Sequence, residues 1–323
     1  MQSHTMYELV DKQVEKLNSQ GLIIHDYDDL KNDLRIYGYS NLIKSYRDPY
    51  MHFDGTTKRY RNGITYEQIC SLYLMDKSLR TCIMAAMLDL EEYIKTQLAE
   101  VLLCSFGEKQ EDYLQFKNFR DRSKPYTPDR FTLEGVLNSL TEASLSGKNP
   151  IKYYREKYGN VPPWILLKGV YFGTTINLIN SLKPKERDMF ASSFYPPEDE
   201  FIQSLSRAQL QSLMMDTLYI ANAYRNCAAH GGRIYDFDTS NRFHDRSLFT
   251  KIPNPHIRGF NLFLFLLCHL QYREPYKSIM NTLNYELNFH LEKYSEDATY
   301  LSQYLGVEIL LKTDLDHPKS KPK

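Results

Sequence analysis

Between positions 224 and 235 the chain reads Tyr224-Arg225-Asn226-Cys227-Ala228-Ala229-His230-Gly231-Gly232-Arg233-Ile234-Tyr235. Two guanidiniums, an amide and an imidazole therefore crowd beside two glycines. Arginine presents a planar fork of donors matched to phosphate oxygens, histidine moves protons near neutral pH, and asparagine can hold either partner in orientation. The set is an inventory for handling phosphate and implies an anionic substrate. His230 would act as general acid or base, Arg225 would hold the phosphate, and Asn226 would orient the phosphate or the imidazole. Arg233 and Tyr235 are candidate secondary substrate contacts.

A helix must position these groups. Leu210, Leu213, Met214, Leu218 and Ala221 recur at three- and four-residue steps and predict an amphipathic helix running into the segment. On a continuing helix Asn226, His230 and Arg233 would share a face, with Arg225 turned about 100° away from Asn226. Either Gly231-Gly232 ends the helix and lets the chain fold back, or the side chains meet across a groove on a substrate or on a second copy of the motif.

The rest of the chain also reads as helix, so the fold class is all-α. A first helix covers Tyr7 to Ser19 and stops at Gly21, and Asp26 caps a second that ends near Gly38. A charged loop spans 47–63. Thr65 with Gln68 forms a capping-box pair that opens a long helix, where Ile69, Leu72, Leu79, Ile83, Met87, Leu90, Ile94, Leu98 and Val101 keep an apolar seam. Lys117 to Arg130 reads as a connector. Pro162-Pro163 opens a helix from Trp164 to Leu182, and the acidic run Glu198 to Glu200 leads into the helices before the motif. Beyond a polar stretch at 236–255, two or more helices follow, and His317 to Lys323 reads as a frayed tail. The resulting regions are 1–117, 118–240 (continuous with the first) and a C-terminal extension at 241–323.

Composition sets limits on function. Forty basic and forty acidic side chains cancel over 323 residues, so no global field draws nucleic acid and any RNA affinity must be local. A homodimer would concentrate Arg225, Arg233 and Arg207 at one cleft. Five cysteines at scattered positions give neither zinc spacing nor a disulfide framework, which fits a reducing cytoplasm. Met1 to Asp11 has no apolar signal core, and Phe260 to Leu270 is too short to span a bilayer, so no membrane is expected. Asp236, Asp238, His244 and Asp245 match no standard ligand pattern, and no metal or cofactor is expected. Tyrosines such as Tyr37, Tyr39 and Tyr46 recur beside apolar residues and read as packing at the edge of the core.

The spacing Arg225-Asn226-x3-His230, followed by Arg233 and Tyr235, resembles the Arg-x4-His motif of HEPN domains as found in Abi-like (abortive infection, AbiD/AbiF type) proteins. The flanks agree with that family in Gln20-Gly21-Leu22-Ile23-Ile24-His25-Asp26, in Gly38-Tyr39-Ser40-Asn41-Leu42-Ile43-Lys44-Ser45-Tyr46, and in the run from Thr65 to Arg80. The resemblance spans about residues 15 to 240. It implies a HEPN-like helical bundle and a metal-independent endoribonuclease that serves as the toxic effector of an abortive-infection or toxin-antitoxin system. It also implies an RNA substrate, a homodimer that pairs two histidines, and a small structured RNA or a protein as antidote. A noncatalytic HEPN module that binds RNA, a nucleotide or a protein is the alternative. One position departs from the family, whose long helix carries a glutamate with an arginine four residues on; here the pair is Glu91 and Lys95. They read either as an exposed helix pair worth about 0.3 to 0.5 kcal/mol or as supports for the active segment, although lysine lacks the fork geometry.

Overall fold

The computed structural model describes residues 6–55, 57–124, 126–243, 246–252, 254 and 257–306. The tail read at His317 to Lys323, and His244 and Asp245 of the acidic stretch, lie outside the described residues. By packing, the described residues form two compact units: one from Met1–Thr81, Gly231–Asp236 and Asn281–Lys323, the other from Cys82–His230 and Phe237–Met280.

In the first unit α1 (Met6–Ser19) packs on α2 (Tyr27–Tyr37), whose first turn is capped by the Asp26 carboxylate accepting from the Asp28 and Asp29 amides. A π-helical turn at Ser40–Lys44 follows. The segment 47–63, read as a loop, contains an antiparallel hairpin of β1 (Met51–Asp54) and β2 (Thr57–Tyr60), with Met51 opposite Tyr60. This is the one sheet among the described residues. Next comes α3 (Tyr66–Phe106), whose 41 residues give it a length of roughly 60 Å at about 1.5 Å per residue. The Gln68 amide donates to the Thr65 hydroxyl at 3.2 Å, which is half of the capping box. The other half is missing because the Gln68 side chain donates instead to Glu296 and Asp297, both at 3.1 Å.

In the second unit α4 (Gln110–Tyr113), α5 (Leu133–Ser144) and α6 (Ile151–Tyr158) precede the proline-opened α7 (Pro163–Leu166). Sequence periodicity runs Trp164 to Leu182 as one helix, but the chain breaks after one turn of α7, tightens through Leu167–Gly169, and restarts as α8 (Phe172–Ser181). Then come α9 (Pro184–Phe194), α10 (Glu200–Gln203) and α11 (Arg207–Ala229), with the apolar α12 (Gly259–Cys268) packed on α11. Two further helices close the described chain, α13 (Glu274–Leu291) and α14 (Ala298–Leu305). The long seam is buried as its periodicity requires, from Ile69 through Val101. No described helix is long and apolar enough to cross a membrane.

Candidate functional site

The helix that carries the motif is specified at both ends. Ser206 accepts from the Gln209 amide and Gln209 reaches back to the Ser206 amide at 3.0 Å, a complete capping box. Along α11, Leu213, Met214, Leu218, Ala221 and Tyr224 are buried. Tyr224 fixes the last turns: its ring stacks on Phe263 at 4.0 Å between centroids, and its hydroxyl donates to the Phe237 carbonyl at 2.6 Å. With that face committed to the core, the neighbouring Arg225 and Asn226 are left on the outer flank.

The helix ends where the glycines require it. His230 is the cap residue, its amide donating to the Asn226 carbonyl at 3.1 Å, and Gly231 turns left-handed at φ 70°, a conformation that costs glycine least. The His230 and Asn226 side chains are exposed. Arg225 is half-buried and its terminal nitrogen donates to the Asn226 side-chain oxygen at 3.2 Å, while its Nε is buried with no hydrogen-bond partner. A helix C-terminus carries partial negative charge, and Arg225 places a cation in its last turns. Arg225, Asn226 and His230 thus lie at one helix end, as their spacing suggested.

Arg233 and Tyr235 have a different place. They belong to the first unit and are taken up within it. Tyr235 is 1 % exposed, packed against Tyr46, Tyr300 and Tyr304, so its reading as a substrate contact is replaced by one of core packing. Arg233 pairs with Asp236 at 2.8 Å and donates to the Ser45 carbonyl. Arg207, the other cation expected near the cleft, is paired with Asp188.

What holds 231–236 in place is a residue outside the Arg225 to Tyr235 segment. Asp76, fully buried on α3, accepts the Ile234 and Tyr235 amides at 2.9 and 3.0 Å, the Tyr46 hydroxyl at 2.6 Å and Arg80 at 3.2 Å. Burial pushes its carboxyl above the usual range, and the hydrogen bonds and Arg80 pull against that shift. Arg80 also reaches the Gly231 carbonyl at 3.4 Å. Asp76 therefore clamps the chain that leaves the His230 cap. The signal was present in sequence, as a carboxylate and a cation one turn apart on an otherwise apolar helix face.

A second arrangement has the connectivity of a nucleophilic triad. The Ser71 hydroxyl and His290 Nδ1 are 2.9 Å apart, and His290 Nε2 lies 2.9 Å from Asp297. Asp297 also accepts from Tyr50 at 2.6 Å. Ser71 sits inside α3, where neighbouring backbone amides are engaged along the helix and offer no oxyanion hole. This network is a buried clamp joining α3, α13 and the start of α14.

Glu91 and Lys95 are not an exposed pair. They meet at 2.6 Å with side chains 11 % and 14 % exposed, and Lys95 also donates to the Val170 carbonyl at 2.6 Å. The pair braces the restart of the chain into α8. Among the described residues no group of three or more His, Cys, Asp or Glu could hold a metal ion.

A family model described as "Abi-like protein" matches residues 32–236. Neither a curated protein nor a solved structure matches the chain. The matched stretch covers most of the chain and includes both the Asp76 clamp and the Arg225 to His230 segment, and the chain belongs to the Abi-like family of abortive-infection proteins.

Proposed function

We propose that the protein is a metal-independent endoribonuclease of HEPN type that acts as the toxic effector in abortive infection. The observation that carries this reading is the exposed His230 imidazole at the end of α11, with Asn226 one turn behind it and the partly unsatisfied Arg225 guanidinium alongside. The RNA supplies its own nucleophile. The 2'-hydroxyl gives up its proton and its oxygen attacks phosphorus. The bond from phosphorus to the 5'-oxygen breaks, and that oxygen takes up a proton. One imidazole serves one of the two proton transfers, so a second copy of the chain pairs its segment to complete the site. Arg225 holds the phosphate as negative charge builds on its oxygens, and Asn226 orients it.

The test is His230→Ala. Cleavage should fall by a factor of about 10² to 10⁴ while RNA binding and the melting temperature stay at wild-type values, since the side chain is exposed. Products should carry 2',3'-cyclic phosphate and 5'-hydroxyl ends in the presence of chelator. Ends of 3'-hydroxyl and 5'-phosphate would instead indicate a metal-activated water. A wild-type protein that binds RNA without cutting it would establish the noncatalytic module.

A further inference from the structure

Arg187, in the first half of α9, is 6 % exposed, yet its Nε is buried without a hydrogen-bond partner. The other arginines with such a nitrogen, Arg47 and Arg225, are only half-buried. Among the described residues no carboxylate lies within ion-pair reach of Arg187. The adjacent Asp188 is used by Arg207 and by the Gln211 amide, which donates to it at 2.7 Å.

Cations gather around it instead. Phe119 bridges to Leu182 at the end of α8, and the Arg120 amide donates to the Ser181 carbonyl at 2.8 Å, which carries Arg120 and Arg122 toward the start of α9. Burial, then Arg122, pushes the Arg187 guanidinium down to about 10, with Arg120 adding to the effect and Tyr219 opposing it. Arg187 and Arg122 line a cavity of about 430 Å³ together with Asn180, Ser212 and Tyr219. The buried Asp216 also lines it. A second cavity of about 340 Å³ shares Arg122, Asn180 and Tyr219 and adds Asn177, Thr127 and Phe131.

A desolvated guanidinium crowded by like charges raises the energy of the empty protein, and an anion that accepts from several of these groups at once removes the penalty. Planar forks beside amide and hydroxyl donors suit the several oxygens of a phosphate. The neighbouring compartment, with an aromatic ring and two amides, has the character needed by a nucleoside attached to that phosphate.

We propose that Arg187 and Arg122 form a phosphate-binding site for a nucleotide, either free or as one residue of an RNA strand. The site is separate in residues from the His230 segment and does not depend on the nuclease reading.

The probes are sodium phosphate, adenosine 5'-monophosphate and a short labelled single-stranded RNA, used with full-length protein carrying His230→Ala so that RNA stays intact. Phosphate or the mononucleotide should raise the melting temperature where chloride at equal ionic strength does not. Arg187→Met should abolish that rise and weaken binding roughly 10- to 100-fold, while melting at or above its parent without ligand because an uncompensated charge is gone. Arg122→Gln, at the surface, should weaken binding without touching the core, and it decides the matter if Arg187→Met does not fold. Saturable mononucleotide binding with weak RNA binding identifies a free nucleotide. RNA binding whose salt dependence flattens in both variants identifies the strand. The proposal is overturned if no probe shifts the parent, or if Arg122→Gln binds as the parent does. Loss of cleavage on His230→Ala with phosphate binding intact would leave both readings standing, and either can fail alone.

Discussion

Asp76 in the first unit and Arg187 in the second are both buried ionisable groups, and they are treated in opposite ways. Asp76 has four partners spread over a hydroxyl, two backbone amides and a guanidinium. Arg187 has an orphaned Nε and a neighbouring arginine. A buried charge that is saturated by its own fold is structure, because every partner was ordered by folding and nothing is left over for a ligand. One that is left unsaturated keeps its capacity for something that arrives later. Arg225 resembles Arg187 in this respect, and Arg233, seven positions after Asn226, resembles Asp76.

The comparison breaks most visibly at Asp76. Asp76→Ala should cost about 3–5 kcal/mol, since it leaves Arg80 and two buried amides without their acceptor. Urea unfolding measures it. A loss below about 1 kcal/mol would mean that water or rearrangement satisfies those groups, and that saturation does not mark structure here.

Alkaline titration sharpens the same contrast at smaller cost per group. Burial, first of all, raises the hydroxyls of Tyr46, Tyr50, Tyr235 and Tyr300 above the ordinary tyrosine value. Unfolded tyrosines release their protons near pH 10 while the buried ones keep theirs, so above that pH the unfolded state binds fewer protons. Their contribution is therefore full below about pH 10 and is lost as pH rises, by about 1.4 kcal/mol per pH unit for each. Arg187 works the other way: burial and the neighbouring Arg122 push its guanidinium down to about 10, so the folded protein holds that proton less tightly than the unfolded chain does. Urea midpoints measured from about pH 9 to about pH 11 should fall steeply, and Arg187→Met should make the fall slightly steeper. A flat profile would contradict the burial of these hydroxyls.

Local chemistry in the chain was enough to place α1, α2, the start of α3 and the helix that runs into the motif. The Asp26 cap and the apolar seam of α3 depend on residues a few positions apart, and each stands where sequence put it, while the stop after His230 is one of the two outcomes the glycines left open. The misreadings have distant partners. Gln68 abandons half of its capping box for Asp297, 229 residues away along the chain, and Tyr235 is buried by Tyr300 and Tyr304. The hairpin at 51–60 was hidden because strands of four residues are too short to show alternation, and Pro49 before it and Gly55 between its strands carry ordinary loop signals. At the site, the chemical residues Arg225, Asn226 and His230 were legible as a cluster. The unsatisfied state of Arg225 and the whole of the Arg187 cluster were not, because a missing partner leaves no pattern in a sequence.

Arg233→Ala carries the smallest expected effect and separates the two classes most finely. By residue type Arg233 belongs with the substrate contacts, one arginine after a pair of glycines; by its surroundings it belongs with Asp76. Burial works against its charge, but Asp236 together with nearby tyrosines outweighs that and holds it firmly protonated. The guanidinium thereby ties Asp236 to the Ser45 carbonyl. Removing it should lower stability by roughly 1–2 kcal/mol, because Asp236 keeps a half-buried carboxylate with no cation beside it. RNA affinity should keep its full salt dependence, since an arginine already committed to an internal carboxylate releases no counterion from RNA. Arg225→Ala should do the reverse, melting near wild type and lowering the salt slope by roughly 0.7, the share of one phosphate contact on a single strand. If Arg233→Ala instead flattens the slope and leaves the melting temperature unchanged, the ion pair with Asp236 gives way when RNA binds, and partner saturation in the free protein no longer separates structural cations from functional ones.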